Sequence, residues 1–269
     1  MFVPPRRAPQ RTRSYLLAAF AIVAAGTLLV FGLSAGLSWL ERRQGDEAAQ
    51  ERTAVAEMRS SLQQVRDRQG RIDTRPKANG PAGQAEAFFK RFAAQALADQ
   101  VSYRTEIAAL GFPDFLKPQR LATENLSAVL TKLRQAHGIV GRYRALSEQR
   151  VAEARASVSR LDLTDYQKSQ LLAGMDSTAA SAAIQRTQMW DFEEQMVEGY
   201  EGMVQVLARG RRDWRFSGGK LRFSNAGVMN SYNEQVLRVQ ALAGQEAALR
   251  NQALEKVDQR LSRAADEVP

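Results

Sequence analysis

Apolar and polar positions recur with a helical period over most of this chain. Four amphipathic regions stand out, at residues 84–110, 126–161, 165–209 and 228–264. Short connections between long amphipathic helices favour antiparallel neighbours. The pattern therefore predicts an all-α protein, built as an elongated antiparallel bundle of three or four long helices.

The second of these regions carries the most regular stripe, which alternates in 4–3 spacing. Its members are Leu126, Leu130, Leu133, His137, Val140, Arg144, Ser147, Val151, Ala154, Val158 and Leu161. If continuous from Gln119, this helix would be about 60 Å long. His137 lies inside the stripe between apolar members. We therefore predict a satisfied core histidine there, in preference to a catalytic or metal-binding one.

A different pattern occupies the N-terminus, where Tyr15 to Leu40 form 26 residues without a charge. As a helix this segment would span about 39 Å, enough to cross a hydrocarbon core about 30 Å thick. The alternative is a cleaved signal peptide, whose apolar region is usually only about 7–15 residues long. The length favours a retained transmembrane helix at 15–40.

Charge on either side of that segment predicts its orientation. Four arginines and no acidic residue lie within 1–14, whereas acidic residues are mixed with basic ones directly after Leu40. The positive-inside rule then places the basic tail, 1–14, in the cytoplasm and the rest of the chain outside. In a bacterium this means an inner-membrane protein with a periplasmic C-terminal domain.

The membrane segment contains the sequence G-L-S-A-G, from Gly32 to Gly36. A G-x-x-x-G pair allows close packing of a second transmembrane helix, so both glycines are candidates for oligomer contact. The alternative is that glycine is simply frequent in membrane helices. The overlapping G-x-S-x-G pattern is no hydrolase motif here, because that motif needs a strand–turn–helix setting and a histidine partner.

Residues 41–83 are predicted as a helical stalk and linker. Val55, Met58, Leu62 and Val65 follow a short coiled-coil spacing. The segment 75–83 then contains two prolines and two glycines. Such a break marks the best domain boundary in the chain, with a helical bundle at 84–269 beyond it.

One stretch departs from the helical period: R-R-D-W-R-F-S-G-G-K-L-R-F, at 211–223. Its two central glycines predict a β-hairpin near 212–223 with a two-residue turn. The resulting register places Trp214, Phe216, Leu221 and Phe223 on one face, which suits a lid on the end of a bundle.

The opposite face of the predicted hairpin carries Asp213, Arg215, Lys220 and Arg222, with Arg215 directly across from Arg222. Like charges facing each other repel. The three basic residues of this face are therefore candidates for binding an anion or a partner.

Two sources of that anion are open. An internal source is the acidic stripe, defined as Asp191, Glu194, Glu198 and Glu201, at helical spacing on the preceding helix. An external source is a lipid headgroup or an acidic envelope polymer. Internal pairing or plain solvation is the simpler expectation. The acidic stripe lacks the Glu-x-x-His motifs of di-iron bundles, so we expect a structural acidic face and no metal site.

The segment 218–223 followed by Ser231-Tyr232-Asn233 resembles the C-terminal part of uncharacterised bacterial envelope proteins. In those proteins a glycine-turn strand ends in Phe, and the following helix opens with a Tyr-Asn pair. The resemblance implies a helical envelope domain, and it supplies no catalytic residues.

Composition excludes several function classes. The chain has no cysteine and a single histidine, which removes disulfides, thiolate zinc sites and most catalytic triads. Of its net charge of +9, four charges come from the N-terminal arginines, and beyond residue 40 basic residues are interleaved with acidic ones, so no nucleic-acid partner is predicted. We predict no cofactor and no small-molecule substrate.

These observations predict a membrane-anchored, non-catalytic module that binds or scaffolds other envelope components. Its expected partners are the membrane and a protein of the envelope, with a second copy of the chain as a further candidate. One alternative is a sensory helical module that works through a partner. Another is a cell-wall hydrolase, which would need two carboxylates converging in a cleft.

Overall fold

The computed structural model describes residues 46–66 and 72–267. Within these residues, six α-helices and one hairpin follow in order: α1 Asp46–Arg66, α2 Gly80–Ala109, α3 Pro118–Thr123, α4 Leu126–Ser157, α5 Asp165–Arg209, β1 Trp214–Ser217, β2 Lys220–Phe223 and α6 Ala226–Glu267. Single 3-10 turns at Asp114–Leu116 and Val158–Arg160 precede α3 and follow α4. The prediction of a mostly helical protein with one small hairpin is confirmed.

The chain divides into two compact units. The hairpin unit comprises Arg104–Ile139 and Phe192–Glu246, and the second unit comprises the described residues of 46–103, Val140–Asp191 and 247–267. Within the second unit, Asp99 of α2 pairs with Arg150 of α4, and Arg155 of α4 pairs with Asp176 of α5. Arg144 of α4 also pairs with Asp191 of α5, so α5 runs back along α4, and these two helices are antiparallel neighbours as predicted.

The predicted membrane helix at 15–40, with Gly32 and Gly36, lies outside the described residues. In the part of the chain that is described, no helix is both long and apolar enough to cross a bilayer.

The helix predicted as a stalk is present as α1, but it shares a core with the bundle. Ala54, Val55 and Met58 belong to the same buried cluster as Phe88 and Phe89 of α2. The cluster also takes in side chains of α4, α5 and α6, all within the second unit. The proline- and glycine-rich segment at 75–83 therefore joins two helices of one core.

The helix of the 4–3 stripe is not continuous from Gln119, because α3 ends at Thr123 and α4 begins at Leu126. Glu124 adopts an extended conformation after α3, and the side chain of Asn125 then accepts a hydrogen bond of 2.9 Å from the amide of Ser127. Asparagine in this position satisfies an amide that has no partner within the helix, and it begins α4 anew. The 4–3 stripe itself is correct, because all its members are buried or half-buried.

Thr164 is the N-cap of α5. The Thr164 hydroxyl accepts a bond from the Gln167 amide at 3.3 Å, and the Gln167 side chain accepts one from the Thr164 amide at 2.9 Å. This reciprocal pair is a capping box. It begins the 45-residue helix that leads directly into the hairpin.

Candidate anion-binding face

The hairpin has the register that its sequence predicts. Trp214 lies opposite Phe223, Arg215 opposite Arg222, and Phe216 opposite Leu221. Gly218 and Gly219 adopt φ values of 60° and 73°, in the left-handed region that a type I′ turn requires at both central positions. Because the turn has only these two residues, the alternation of side chains fixes which ones share a face.

The apolar face of the hairpin packs onto the hairpin unit. Trp214 is 4% exposed, and its indole N–H donates a 2.8 Å hydrogen bond to the carbonyl of Leu207 at the end of α5. Phe223 lies 5.5 Å from Tyr232 of α6 between ring centroids, and burial raises the pKa of the Tyr232 phenol to about 12. Trp214 is thus buried and the other three members of this face are half-buried, so the face partly covers the unit as a lid would.

Arg211 connects the base of the hairpin to a neighbouring helix. Its guanidinium stacks over the Trp214 ring at 4.5 Å and donates a hydrogen bond of 3.2 Å to the carbonyl of Ala122 in α3. A cation over an indole face is an attractive contact. Arg211 thus serves the packing of the hairpin, which separates it from the basic residues on the strands.

The basic face, defined as Arg215, Lys220 and Arg222, points into solvent. All three side chains are exposed. Among the described residues no carboxylate oxygen lies within 4.0 Å of any of their cationic nitrogens. Arg215 and Arg222 are direct cross-strand neighbours, so their like charges repel each other, and no ion pair to a described residue within that distance offsets the repulsion.

Carboxylates of the acidic stripe form ion pairs with arginines outside the basic face. Glu198 pairs with Arg238 of α6 at 3.3 Å, and Asp191 pairs with Arg144 of α4 at 2.8 Å. Pairing of the stripe with the basic face is therefore not found among the described residues, and the exposed side chains of the basic face agree with the other half of the simpler expectation, plain solvation. The stripe stabilises helix contacts within each unit instead.

His137 contacts the same stripe. It is half-buried, and its Nε2 lies 3.6 Å from a carboxylate oxygen of Glu201. Within the described residues no three His, Cys, Asp or Glu side chains come together in a way that would hold a metal ion. The arrangement is that of a histidine packed between helices with one polar partner.

The fold and the basic face define a mostly helical protein with an exposed cationic hairpin. No protein-family model, curated protein or solved structure matches the chain. The resemblance of the 218–233 segment to bacterial envelope proteins stays a prediction.

Proposed function

We propose that this protein is a single-pass, inner-membrane-anchored envelope protein whose extracytoplasmic helical domain is a non-catalytic binding or scaffolding module. The uncharged segment at 15–40 and the arginines before it support the anchor and its orientation. In this proposal the basic face is the contact surface, and it takes an anionic component of the envelope.

The observation that carries the proposal is the uncompensated pair of Arg215 and Arg222. An arginine pair placed across a ladder is unfavourable for the isolated hairpin. A polyanion bridging the two guanidiniums would relieve the repulsion and form charge-assisted hydrogen bonds with both. The affinity of such a contact falls as salt screens it.

The test is binding of the full-length protein to soluble polyglutamate, with vesicles of anionic phospholipid as a second arm. We expect Arg215→Gln combined with Arg222→Gln to weaken polyglutamate binding about tenfold, equivalent to about 1.4 kcal/mol. The matched control removes two exposed arginines from α4, by Arg134→Gln with Arg142→Gln. Equal binding by both double variants would remove the basic face from the proposal, and binding to vesicles alone would assign the anion to the lipid.

The anchor is tested separately by a reporter fused after Pro269. A periplasmic reporter agrees with the proposed orientation. A cytoplasmic reporter overturns the envelope function whatever the basic face binds.

A further inference from the structure

The second unit contains a cavity of about 370 Å³ between α2 and the end of α4. We name it the arginine groove. Its floor is formed by Phe88, Phe92, Ala154 and Leu161, and its rim carries Arg91, Arg150 and Arg160. The volume falls in the range of sites for small molecules, about 300–1,000 Å³.

One rim arginine is already neutralised by the protein. Arg150 donates to the carboxylate of Asp99 at 2.8 and 3.3 Å and to Glu153 at 2.8 Å, and these bonds raise its pKa further above its ordinary value. The same contact with Arg150 lowers the pKa of Glu153, so this acid is ionised and occupied. Arg150 and Glu153 line one wall of the groove, and together with Asp99 they carry a net charge of −1, which the two other rim arginines outnumber.

The other two rim arginines form no ion pair with the described residues of the protein. Arg91 and Arg160 are exposed, and among the described residues neither has a carboxylate within 4.0 Å. The Nε of Arg91 donates to the carbonyl of Ala87 in its own helix, which directs the side chain along α2. Two uncompensated guanidiniums therefore border a floor of two phenylalanines, an alanine and a leucine.

We propose that the arginine groove binds a small amphiphilic carboxylate. The apolar floor favours a hydrophobic body, because each Å² of apolar surface removed from water contributes about 25 cal/mol. The guanidiniums favour a carboxylate, whose two oxygens match their paired N–H groups. A neutral ligand would lose the charge-assisted hydrogen bonds to the guanidiniums, and the guanidiniums would repel a cationic ligand. This site is independent of the basic face, and it goes beyond the proposed scaffolding function.

The test is calorimetric titration of the full-length protein with sodium 2-naphthoate, corrected for partition into detergent with a protein-free blank. We expect saturable binding that is at least about tenfold tighter than that of the neutral 2-naphthalenemethanol. Arg91→Gln with Arg160→Gln should remove this preference for the carboxylate. Ser157→Phe, which fills the groove from its lining, should abolish binding of both compounds.

The double substitution on α4, Arg134→Gln with Arg142→Gln, is again the control, because neither residue lines the groove. A second measurement uses the unmodified protein, in case a variant fails to fold: 2-naphthoate should protect Arg91 and Arg160, but not Arg134, from labelling by phenylglyoxal. Absence of saturable binding, or protection that does not distinguish these arginines, overturns the proposal.

Discussion

Lys90 Nζ lies 2.6 Å from a carboxylate oxygen of Glu86, and the two side chains are 2% and 0% exposed. The same ammonium is 3.0 Å from Glu57 of α1 and donates to the carbonyl of Arg75 at 3.2 Å. Glu86 in turn accepts the backbone amides of Lys77 and Ala78. The contact between Lys90 and Glu86 therefore connects α1, α2 and the segment between them.

Replacing this lysine should destabilise the protein strongly. Lys90→Met leaves the buried carboxylate of Glu86 without its cation, and breaking such a pair typically costs about 3–5 kcal/mol. The control is Lys77→Met, because Lys77 is largely exposed and its bond to Glu57 is worth at most about 1 kcal/mol. The free energy of unfolding in denaturant measures both. Similar losses in the two variants would contradict the assigned role of burial.

The same contacts predict how stability depends on pH. Hydrogen bonds from Lys77 and then Lys90 hold the pKa of Glu57 below its ordinary value of 4.5, although burial opposes them. The contribution of Glu57 to the free energy of unfolding is present above pH 4.5 and is lost as pH falls through the lowered pKa.

The alkaline side depends on Lys90. Burial lowers the pKa of Lys90, but its bonds to Glu86 and Glu57 outweigh burial and raise the pKa above 10.5. The contribution of Lys90 to the free energy of unfolding is complete below pH 10.5 and is lost as pH rises through the raised pKa. We expect Glu57→Gln to flatten the acid limb of an unfolding profile and Lys90→Met the alkaline limb.

Gly199 sets the distance between α5 and α6 in the hairpin unit. A Cβ added at Gly199 would lie 2.5 Å from a methyl carbon of Val239, which is wholly buried. Gly199→Ala should therefore lower the free energy of unfolding by about 1–3 kcal/mol through overpacking. The control is Gly138→Ala in α4, where the added carbon meets nothing within 4 Å. There we expect a gain of about 1 kcal/mol from helix propensity. Adding Val239→Ala to Gly199→Ala should restore much of the loss.

Ser147 occupies an apolar stripe because it has a buried partner. Its hydroxyl accepts the Trp190 indole N–H at 3.0 Å and donates to the Arg144 carbonyl at 2.7 Å. Ser147→Ala should cost about 1–3 kcal/mol, since the indole N–H loses its acceptor inside the core. Ser159→Ala removes a similar bond to its own helix from an exposed serine, and its effect should stay below about 0.5 kcal/mol. Thermal unfolding with tryptophan fluorescence measures both. An equal effect would show that the indole has another acceptor.

Arg215→Glu should stabilise the hairpin while it removes anion binding. It converts the repulsive pair with Arg222 into an attractive cross-strand pair, worth roughly 0.2–1 kcal/mol. Arg212→Glu makes the same charge change at an exposed residue before β1, and its effect should lie within about 0.5 kcal/mol. Chemical denaturation separates the two. A loss of stability specific to Arg215→Glu would mean that Arg215 has a structural role.

The hairpin register and the helix faces follow from local sequence. Two adjacent glycines fix a two-residue turn, and the alternation around them then assigns Trp214 and Arg215 to opposite faces. The capping box at Thr164 is local in the same sense. These features depend on residues within a few positions of one another, so pattern and propensity suffice to predict them.

The remaining features depend on residues far apart in the chain. Trp190 and its acceptor Ser147 are 43 positions apart, and Glu57 reaches Lys90 across 33. Buried charges such as Glu86 have the same helical spacing as solvated ones, so the sequence gives no sign of their burial. The arginine groove combines two separate helices, and neither has a motif for it. Periodicity predicts which face of a helix is buried, but not what it meets there.

The contacts of the 75–79 segment also have a mechanical consequence. Gln50 of α1 accepts the amide of Asn79 at 2.7 Å, and Glu57 accepts the side chain of Lys77 at 2.8 Å. Both bonds join α1 to the segment that precedes α2. A tensile load applied at the start of α1 would therefore be shared by these two bonds and by the packed core before the segment could extend. A force on α1 would then be transmitted to α2 with little extension of the 75–79 segment.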